Sequence, residues 1–373
     1  MLTELPPIFL RQPCLAADAG LQYFFDIYQC SVSVTASWVF VRHPSSHSRQ
    51  SRSMLTGLAD PVRAFTRRTF FVRRKNRCRI RSRSVDATMT SLSVLIKDAL
   101  VEDLGTNGDV TTLATVPQHA VAQATFLVKG DGVVAGYEAV RTVFEQLDPE
   151  VYLQWDVEEG SFVRAGTPIG KIAGSARAVL SGERLALNIM QRMSGIATTT
   201  RAMVDKIRSV GSQARLLDTR KTAPLNRVLD KRAVEIGGGV NHRFGLYDAV
   251  MIKDNHIKAA GSITAAFERV QAYLNGHQDL KPMEIVVEAR TLHEVRETTN
   301  KVDASVLQAA VDFIAGKVPT EASGNVSLET VADIAATGVD YISSGMLTHS
   351  VNALDISLKI FSMQAQTPTS HGQ

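Results

Sequence analysis

The sequence predicts an α/β protein in which an N-terminal α/β sandwich precedes an open α/β barrel. Three observations support this prediction. Glycine-punctuated, strand-like runs fill residues 90–180, a long amphipathic helix covers residues 181–210, and short apolar runs then alternate with helical segments. Such alternation of strand and helix is typical of a parallel sheet, which in a barrel closes on itself.

Residues 1–85, the leader, precede these elements and differ from them in charge. The leader carries 14 Lys and Arg against 4 Asp and Glu, whereas the remainder carries 27 against 33. A stretch rich in Arg and Ser and poor in acidic residues is typical of an organellar transit peptide. The alternative is a disordered basic arm that binds anionic surfaces. In both cases we expect that deleting the leader leaves folding unchanged.

Composition excludes several classes of protein. Cys14, Cys30 and Cys78 all lie in the leader, so the rest of the chain cannot form a disulfide, a thiolate metal site or a cysteine nucleophile. Because the basic residues of the acidic remainder are clustered rather than spread, we expect no nucleic-acid partner. No apolar run reaches the roughly 20 residues that span a bilayer, so we expect no membrane span.

The sandwich domain is predicted over residues 86–200, joined by the C-terminal segment 350–362. It opens with a helix at residues 92–100 and continues with alternating strands such as residues 122–128. The long helix that follows places one face at steps of three and four, with Leu185, Ile189, Met193, Ile196, Thr200, Met203 and Ile207.

The barrel domain is predicted over residues 201–349, and a flexible tail over residues 363–373. Strands are predicted at residues 215–218, 248–252, 283–288, 320–323 and 340–343. Helices are predicted at residues 225–236, after the capping residue Ser262, at residues 292–298 and at residues 305–315.

The alternation of strand and helix fails once. Between the strand that ends at Glu288 and the strand at residues 320–323, two helices follow each other with no strand between them. In a parallel barrel each helix returns the chain to a new strand. The pattern therefore predicts an incomplete barrel that lacks one strand.

Three clusters of positive charge lie close together in the barrel domain. They contain Arg220 and Lys221, then His242 and Arg243 after three glycines, then Lys253. Arg and Lys bind carboxylates and phosphates, and catalytic residues of barrels lie where strands end. Any one cluster alone could be ordinary surface charge, but the three together favour one anion-binding site.

Two further features complete the predicted site. Glu288 ends an apolar strand, where a carboxylate can bind Mg²⁺ or face a positively charged intermediate; the alternative is an ion pair with Arg290. Small residues that expose backbone N–H groups to a phosphate follow the last two strands, namely Ser323, Gly324, Asn325, Ser344 and Gly345.

Long ordered motifs resemble the quinolinate phosphoribosyltransferase family over about residues 91–360. Besides the basic clusters, the motifs are Glu102-Asp103-Leu104-Gly105, Gly108-Asp109-Val110-Thr111-Thr112, Glu183-Arg184 with Asn188, Ser194-Gly195-Ile196-Ala197-Thr198, Glu321-Ala322-Ser323-Gly324-Asn325 and Gly338-Val339-Asp340-Tyr341-Ile342-Ser343-Ser344-Gly345 to Leu347-Thr348-His349-Ser350. Matches of this length and order are specific.

The resemblance implies an open barrel of the type II phosphoribosyltransferase kind. It also implies transfer of a phosphoribosyl group from phosphoribosyl pyrophosphate to quinolinate with Mg²⁺, giving nicotinate mononucleotide, pyrophosphate and CO₂ in NAD biosynthesis. The implied assembly is a homodimer, with a hexamer as the alternative, in which Arg184 is donated across the interface. With its leader the chain is similar to plant forms, which implies a plastid (chloroplast) location, with the mitochondrion as the alternative.

The resemblance also implies a role for each site residue. The implied ligands of the dicarboxylate are Arg220, His242, Arg243 and Lys253. Lys221 and Lys253 would face the pyrophosphate, and Glu288 would serve the ribose and the metal. The implied catalytic residues are Lys221, Lys253 and Glu288. The implied ligands of the 5′-phosphate are the loops with Ser323, Gly324 and Asn325 and with Ser344 and Gly345.

One motif of the family is absent. Family members carry a further strand ending in Leu-Asp-Asn, whose aspartate partners the glutamate, at the place where the alternation fails. The chain is then an active transferase, with Asp303 in the vacant place, or a catalytically impaired splice or gene-model variant that acts at most as a dimer partner. The missing carboxylate favours the second hypothesis. A third is a transferase that uses nicotinate, but Arg220 and Arg243 favour a dicarboxylate.

Overall fold

The computed structural model describes residues 69–73, 91–277, 279–280, 283–289, 311, 314–316 and 318–365. Helices and strands are both present, which confirms the predicted α/β class. Of the helices in these ranges, none combines the length and the apolar character needed to cross a membrane.

The elements are numbered in chain order. The strands are β1 (Thr69–Arg73), β2 (Ala120–Val128), β3 (Gly132–Val133), β4 (Tyr152–Trp155), β5 (Phe162–Val163), β6 (Pro168–Ser175), β7 (Arg215–Leu217), β8 (Val250–Ile252), β9 (Ile285–Ala289), β10 (Thr320–Ser323), β11 (Tyr341–Ser343) and β12 (Ile356–Ala365). The helices are α1 (Leu92–Leu104), α2 (Val110–Thr115), α3 (Tyr137–Leu147), α4 (Ala176–Ser209), α5 (Arg227–Ile236), α6 (Asp254–Ala260), α7 (Ile263–Gly276), α8 (Val331–Ala336) and α9 (Met346–His349).

A four-stranded antiparallel sheet in the order β12-β2-β6-β4 forms the first layer. Every second residue of β2 is buried, as expected for a strand with one face on a core. The C-terminal strand β12 lies along the whole of β2, from Ile356 opposite Val128 to Ala365 opposite Ala120. This strand therefore extends into residues 363–365, where the sequence predicts a flexible tail.

Helix α4 connects this sheet to the second one. It begins at Ala176, earlier than the predicted residue 181, because the Ser175 side chain caps it by accepting the N–H of Ala178. Small residues allow close packing along it. A Cβ atom on Gly195 would lie 2.2 Å from the carbonyl oxygen of Asn352, and one on Gly237 would lie 2.6 Å from that of Ala197. The chain after α5 therefore packs directly against α4.

The second sheet has six strands in the order β7-β11-β10-β1-β9-β8. The pairs β7 with β11, β10 with β11 and β8 with β9 are parallel. Their carboxyl ends share one edge of the sheet, where ligands of parallel sheets bind.

Strand β1 comes from the leader and differs from the disordered arm expected there. It pairs antiparallel with β10, from Thr69 opposite Ser323 to Val72 opposite Thr320, and antiparallel with β9 on its other side. It thus lies between the two strands where the sequence predicts a missing one. Aromatic and β-branched residues favour an extended strand, and pairing satisfies backbone groups of β9 and β10 that would otherwise form open edges. The helices predicted at residues 292–298 and 305–315, and Asp303, lie outside the described residues except at 311, 314 and 315.

Candidate active site

The strand register brings the predicted site residues to one edge of the six-stranded sheet. Leu217, Ser343 and Ser323 form one row across β7, β11 and β10. At the other end of the strand order, Ile252 of β8 pairs with Val287 of β9. Lys253 and Glu288, the next residues of the two chains, therefore lie opposite each other. The loop after β7 (residues 218–226, the first loop) begins at this edge. The loop after α5 (residues 237–249, the second loop) runs parallel to the end of β7, where Val240 pairs with Leu217, and so brings His242 beside Asp218.

The first loop presents Arg220 and Lys221, both exposed. Thr348 Oγ1 donates to the carbonyl oxygen of Lys221 at 2.9 Å. The Lys221 side chain lies over Gly345, where an added Cβ would be 2.7 Å from Lys221 Cδ and 3.0 Å from His349 Cδ2. Lys221 of the first basic cluster and the loop with Gly345, which are far apart in the sequence, are therefore in contact.

The second loop presents His242 and Arg243, both half-buried. The Arg243 guanidinium donates to the carbonyl oxygen of Ala249 at 3.1 Å. Burial first, and then the neighbouring positive charge of Arg220, lower the pKa of Arg243, whereas Asp248 acts in the opposite direction. The two loops lie side by side, because Asp218, which begins the first loop, accepts the N–H of His242 in the second loop at 2.9 Å.

The imidazole of His242 is oriented by its neighbours. Its Nδ1 accepts the N–H of Arg243 at 2.6 Å, so in the neutral ring the proton is on Nε2. Nε2 lies 3.6 Å from Oε1 of Glu321, and within the described part of the chain it makes no hydrogen bond. It is therefore a buried donor whose neighbour is the carboxylate of Glu321.

A buried ion pair lies beneath the second loop. Lys231 Nζ donates to Oδ1 of Asp218, and both side chains are almost inaccessible to solvent. Burial raises the pKa of Asp218 to about 6, against the opposing effects of Lys231 and the His242 N–H. Burial likewise lowers the pKa of Lys231, against the opposing charge of Asp218. Neither side chain is among the predicted site residues.

The remaining cation and the carboxylate lie on β8 and β9. Lys253 is exposed immediately before α6, and its N–H donates to Nδ1 of His256 at 2.9 Å. Glu288 is buried, with 7% of its surface exposed. In the ranges that the structure covers, no three His, Cys, Asp or Glu residues form a cluster that could hold a metal ion.

The loops predicted to bind phosphate differ from each other. Gly324 and Asn325 are successive residues with positive φ, 92° and 50°, which turns the loop after β10 sharply. Ser344 is buried, its N–H donates to the carbonyl oxygen of Leu217 at 3.0 Å, and its hydroxyl donates to that of Val326 at 2.9 Å. Both donors of Ser344 are therefore used by the fold, and a phosphate would be bound by its neighbours.

Arg184 stands apart from the other predicted residues. It is exposed on α4, and no ion pair joins it to them among the residues described. Its participation in the site stays a prediction.

Comparison with known proteins identifies the family. The models for the N-terminal and the C-terminal domain of quinolinate phosphoribosyl transferase match residues 109–194 and 196–359, respectively. The chain belongs to this family. It is 48% identical over 293 residues to the chloroplastic nicotinate-nucleotide pyrophosphorylase [carboxylating] of Arabidopsis thaliana, a match that covers 72% of this chain and 82% of that protein. It is 47% identical to the chloroplastic protein of the same name from Oryza sativa subsp. japonica, which it covers to 77%.

Further relatives of the quinolinate phosphoribosyltransferase family include a mitochondrial form and solved structures. Quinolinate phosphoribosyltransferase [decarboxylating] 2b, mitochondrial, from Nicotiana tabacum is 47% identical, with 72% of this chain and 82% of that protein covered. The crystal structure of NadC from Streptococcus pyogenes is 36% identical and superposes with a TM-score of 0.65 over 73% of this chain and 97% of that one. The predicted α/β class and the predicted family are thus confirmed.

Proposed function

We propose that the chain transfers the phosphoribosyl group of phosphoribosyl pyrophosphate to quinolinate and decarboxylates the product to nicotinate mononucleotide, releasing pyrophosphate and CO₂, as an enzyme of NAD biosynthesis. The family assignment favours this enzyme over a non-catalytic partner. The observation that carries the proposal is the hydrogen bond from the His242 N–H to Asp218, which holds the loop with Arg220 against the loop with Arg243, since two guanidinium groups suit a dicarboxylate.

The two carboxylates of quinolinate would lie between the first and the second loop. Each arginine can bind one carboxylate through a bidentate pair, and His242 Nε2 can donate to one of them. A substrate with one carboxylate, such as nicotinate, would leave one guanidinium without a partner. The site therefore favours the dicarboxylate.

The transfer step needs charge at two places. The ring nitrogen of quinolinate forms a bond to the anomeric carbon while the bond from that carbon to the pyrophosphate oxygen breaks. Pyrophosphate leaves with the electron pair, and positive charge develops on the ribose. Lys221 and Lys253 would stabilise the leaving group, and Glu288 would stabilise the ribose cation.

Decarboxylation follows on the same nucleotide. The bond between ring carbon 2 and its carboxylate breaks, CO₂ leaves, and the electron pair stays on the ring carbon until a proton from water replaces the carboxylate. The cations that bind the dicarboxylate would also stabilise this ring anion. One set of side chains thus serves both steps.

Glu288 fits a shared Mg²⁺ site. Mg²⁺ in phosphoryl-substrate sites is bound by one or two carboxylates together with substrate phosphates and water. A single buried carboxylate at a strand end fits this role when phosphoribosyl pyrophosphate supplies the other oxygens. Bound there, the ion would supply positive charge for the departing pyrophosphate.

Assembly and location are also proposed. Arg184, exposed on α4, would complete the site of a neighbouring subunit in a homodimer. The named relatives include chloroplastic and mitochondrial proteins, and the basic leader suits either organelle. The plastid is the proposed location.

The test is release of pyrophosphate by the full chain from phosphoribosyl pyrophosphate, with quinolinate or nicotinate as acceptor and with or without Mg²⁺. We expect Mg²⁺-dependent release with quinolinate, and a loss of orders of magnitude on changing Arg220, Lys253 or Glu288 to Ala. Arg208→Ala, an exposed change at the end of α4, should have no effect. Activity indifferent to the first three changes would overturn the site assignment.

A second comparison addresses the missing motif. The same assay on a version that carries the family's additional strand with its Leu-Asp-Asn sequence measures what that strand contributes. Equal activity of the two chains supports the proposal for this chain. Activity in the extended version alone would identify this chain as the impaired variant.

A further inference from the structure

Two consecutive residues of α5 hold the two loops that present the cations. A carboxylate oxygen of Asp230 accepts the N–H of Ala223, in the first loop, at 3.1 Å. Lys231 Nζ donates to the carbonyl oxygen of His242, in the second loop, at 3.2 Å. Because adjacent residues of a helix are fixed relative to each other, α5 sets the separation of the two loops.

The second loop is bound at two backbone groups of His242. Asp218 Oδ1, which is bound by Lys231, also accepts the N–H of His242 at 2.9 Å. The buried ion pair therefore binds the N–H and the C=O of the same residue. This fixes the peptide groups on both sides of His242, and so the direction in which Arg243 leaves the backbone.

The first loop is bound at a second point, through Arg192 and Thr348. Arg192 of α4 forms a bidentate pair with Asp230, with both distances 2.8 Å, and donates to the carbonyl oxygen of Thr348 at 3.0 Å. The hydroxyl of Thr348 in turn donates to the carbonyl oxygen of Lys221. The first loop is thus fixed at Ala223 and at Lys221 by one connected set of charged groups.

Stability alone is a weak reason for such groups. Buried ion pairs recover the cost of removing two charges from water only in part, and apolar residues of the same size are often as stable in their place. Both Asp218 and Lys231 have pKa values shifted towards their neutral forms by burial, which reflects that cost. Their hydrogen bonds to the loop backbone are what an apolar pair could not reproduce.

Resting on the proposed function, we propose that Asp230 and Lys231 are positioning residues that set the spacing of the Arg220 and Arg243 guanidinium groups for the two carboxylates of quinolinate. The carboxylates of the substrate are a fixed distance apart, so a displacement of one loop by about 1 Å is enough to weaken the clamp by a large factor. Neither residue touches the substrate.

The first test is binding of quinolinate to the full chain by titration calorimetry, which requires no turnover. Lys231→Met keeps the side-chain length and removes the charge and the donor. We expect its Kd for quinolinate to rise at least ten-fold. Steady-state kinetics, measured separately, should give a KM for phosphoribosyl pyrophosphate within two-fold of that of the unaltered chain. The matched control is Arg232→Met, the next residue of the same helix, which is exposed and pairs only with Glu235 among the described residues; its Kd should be unchanged.

A double variant separates positioning from folding. Asp218→Asn with Lys231→Met removes both charges together and leaves no lone buried charge, so we expect it to regain stability but not affinity for quinolinate. If the Lys231→Met variant folds and binds quinolinate as tightly as the unaltered chain does, the positioning role is overturned and the proposed function is unaffected. If neither variant folds, the pair is structural and the inference is again overturned. Failure of the unaltered chain to bind quinolinate overturns the proposed function.

Discussion

His242 and Glu321 face each other at the edge of the six-stranded sheet, with Nε2 of the imidazole 3.6 Å from Oε1 of the carboxylate. The two residues come from the second loop and from β10, and both side chains are nearly buried. Because the ring nitrogen Nδ1 accepts the N–H of Arg243, the other nitrogen is the one that faces Glu321.

His242→Ala should weaken quinolinate binding. The change removes a donor to a charged acceptor, which costs about 1.5–3 kcal/mol, or roughly a 10- to 100-fold rise in KM for quinolinate. KM for phosphoribosyl pyrophosphate should change little. Steady-state kinetics with each substrate varied in turn measures both. A rise in KM for phosphoribosyl pyrophosphate alone would contradict the assignment of His242 to quinolinate.

Gly345→Ala should impair use of phosphoribosyl pyrophosphate. The new methyl group would lie 2.7 Å from Lys221 Cδ, so the lysine must move away from its present place. We expect kcat to fall by roughly ten-fold or more, since about 1 Å of displacement at a catalytic group has a large effect. The control is Gly276→Ala, at the end of α7, where an added Cβ meets nothing within 4 Å. Equal kinetics for the two variants would contradict the prediction.

The free energy of unfolding should depend on pH through Asp218. Its pKa is raised from 3.8 to about 6, so between these values the folded chain retains a proton that the unfolded chain releases. The stability that this group contributes is full below pH 3.8 and is lost as the pH rises through 6. The groups that face Asp218 are Lys231 from α5 and His242 from the second loop.

The measurement is urea unfolding between pH 4 and pH 8 of the unaltered chain and of the variant with Asp218→Asn and Lys231→Met. Relative to the variant, the unaltered chain should lose on the order of 2 kcal/mol from pH 4 to pH 6 and little above pH 6, since each pH unit contributes at most about 1.36 kcal/mol. Parallel curves would show that Asp218 does not titrate in this range.

Deleting residues 1–73 should destabilise the second sheet, whereas deleting residues 1–68 should not. The longer deletion removes β1 and leaves backbone N–H and C=O groups of β9 and β10 unpaired. We expect a loss of several kcal/mol, measured by thermal and urea unfolding of the two shortened chains. This differs from the expectation, based on composition, that the whole leader is dispensable. Identical unfolding of both chains would restore that expectation.

The parts of the fold with strong periodic patterns could be predicted from the sequence. The apolar steps of the long helix, the strands that end before Arg220 and Lys253, and the strand that carries Glu288 are local features, and the structure has them close to the predicted bounds. The edge at which these residues gather follows from parallel alternation alone.

The features that were missed depend on distant pairing or on buried charge. Strand β1 lies in a stretch whose arginines dominate its composition, and its partners β9 and β10 are more than 200 residues away in the sequence. Asp230 and Lys231, followed by Arg232, look like a solvated charge run. Their one signal is spacing, because they precede the buried Val234 by four and three residues and so share its face of α5.

Strand β1 also limits where the chain could be cut without loss of a strand from the second sheet. Any proteolytic cut between Arg73 and Ser91 would separate this strand from the rest of the polypeptide, although it pairs with both β9, which carries Glu288, and β10, which leads to Ser323. The separated peptide would then be bound to the sheet only non-covalently, and it would dissociate at low protein concentration. Removal of the N-terminal residues upstream of Thr69 would leave the sheet as one covalent unit, so the position of any such cut would decide whether the protein keeps β1.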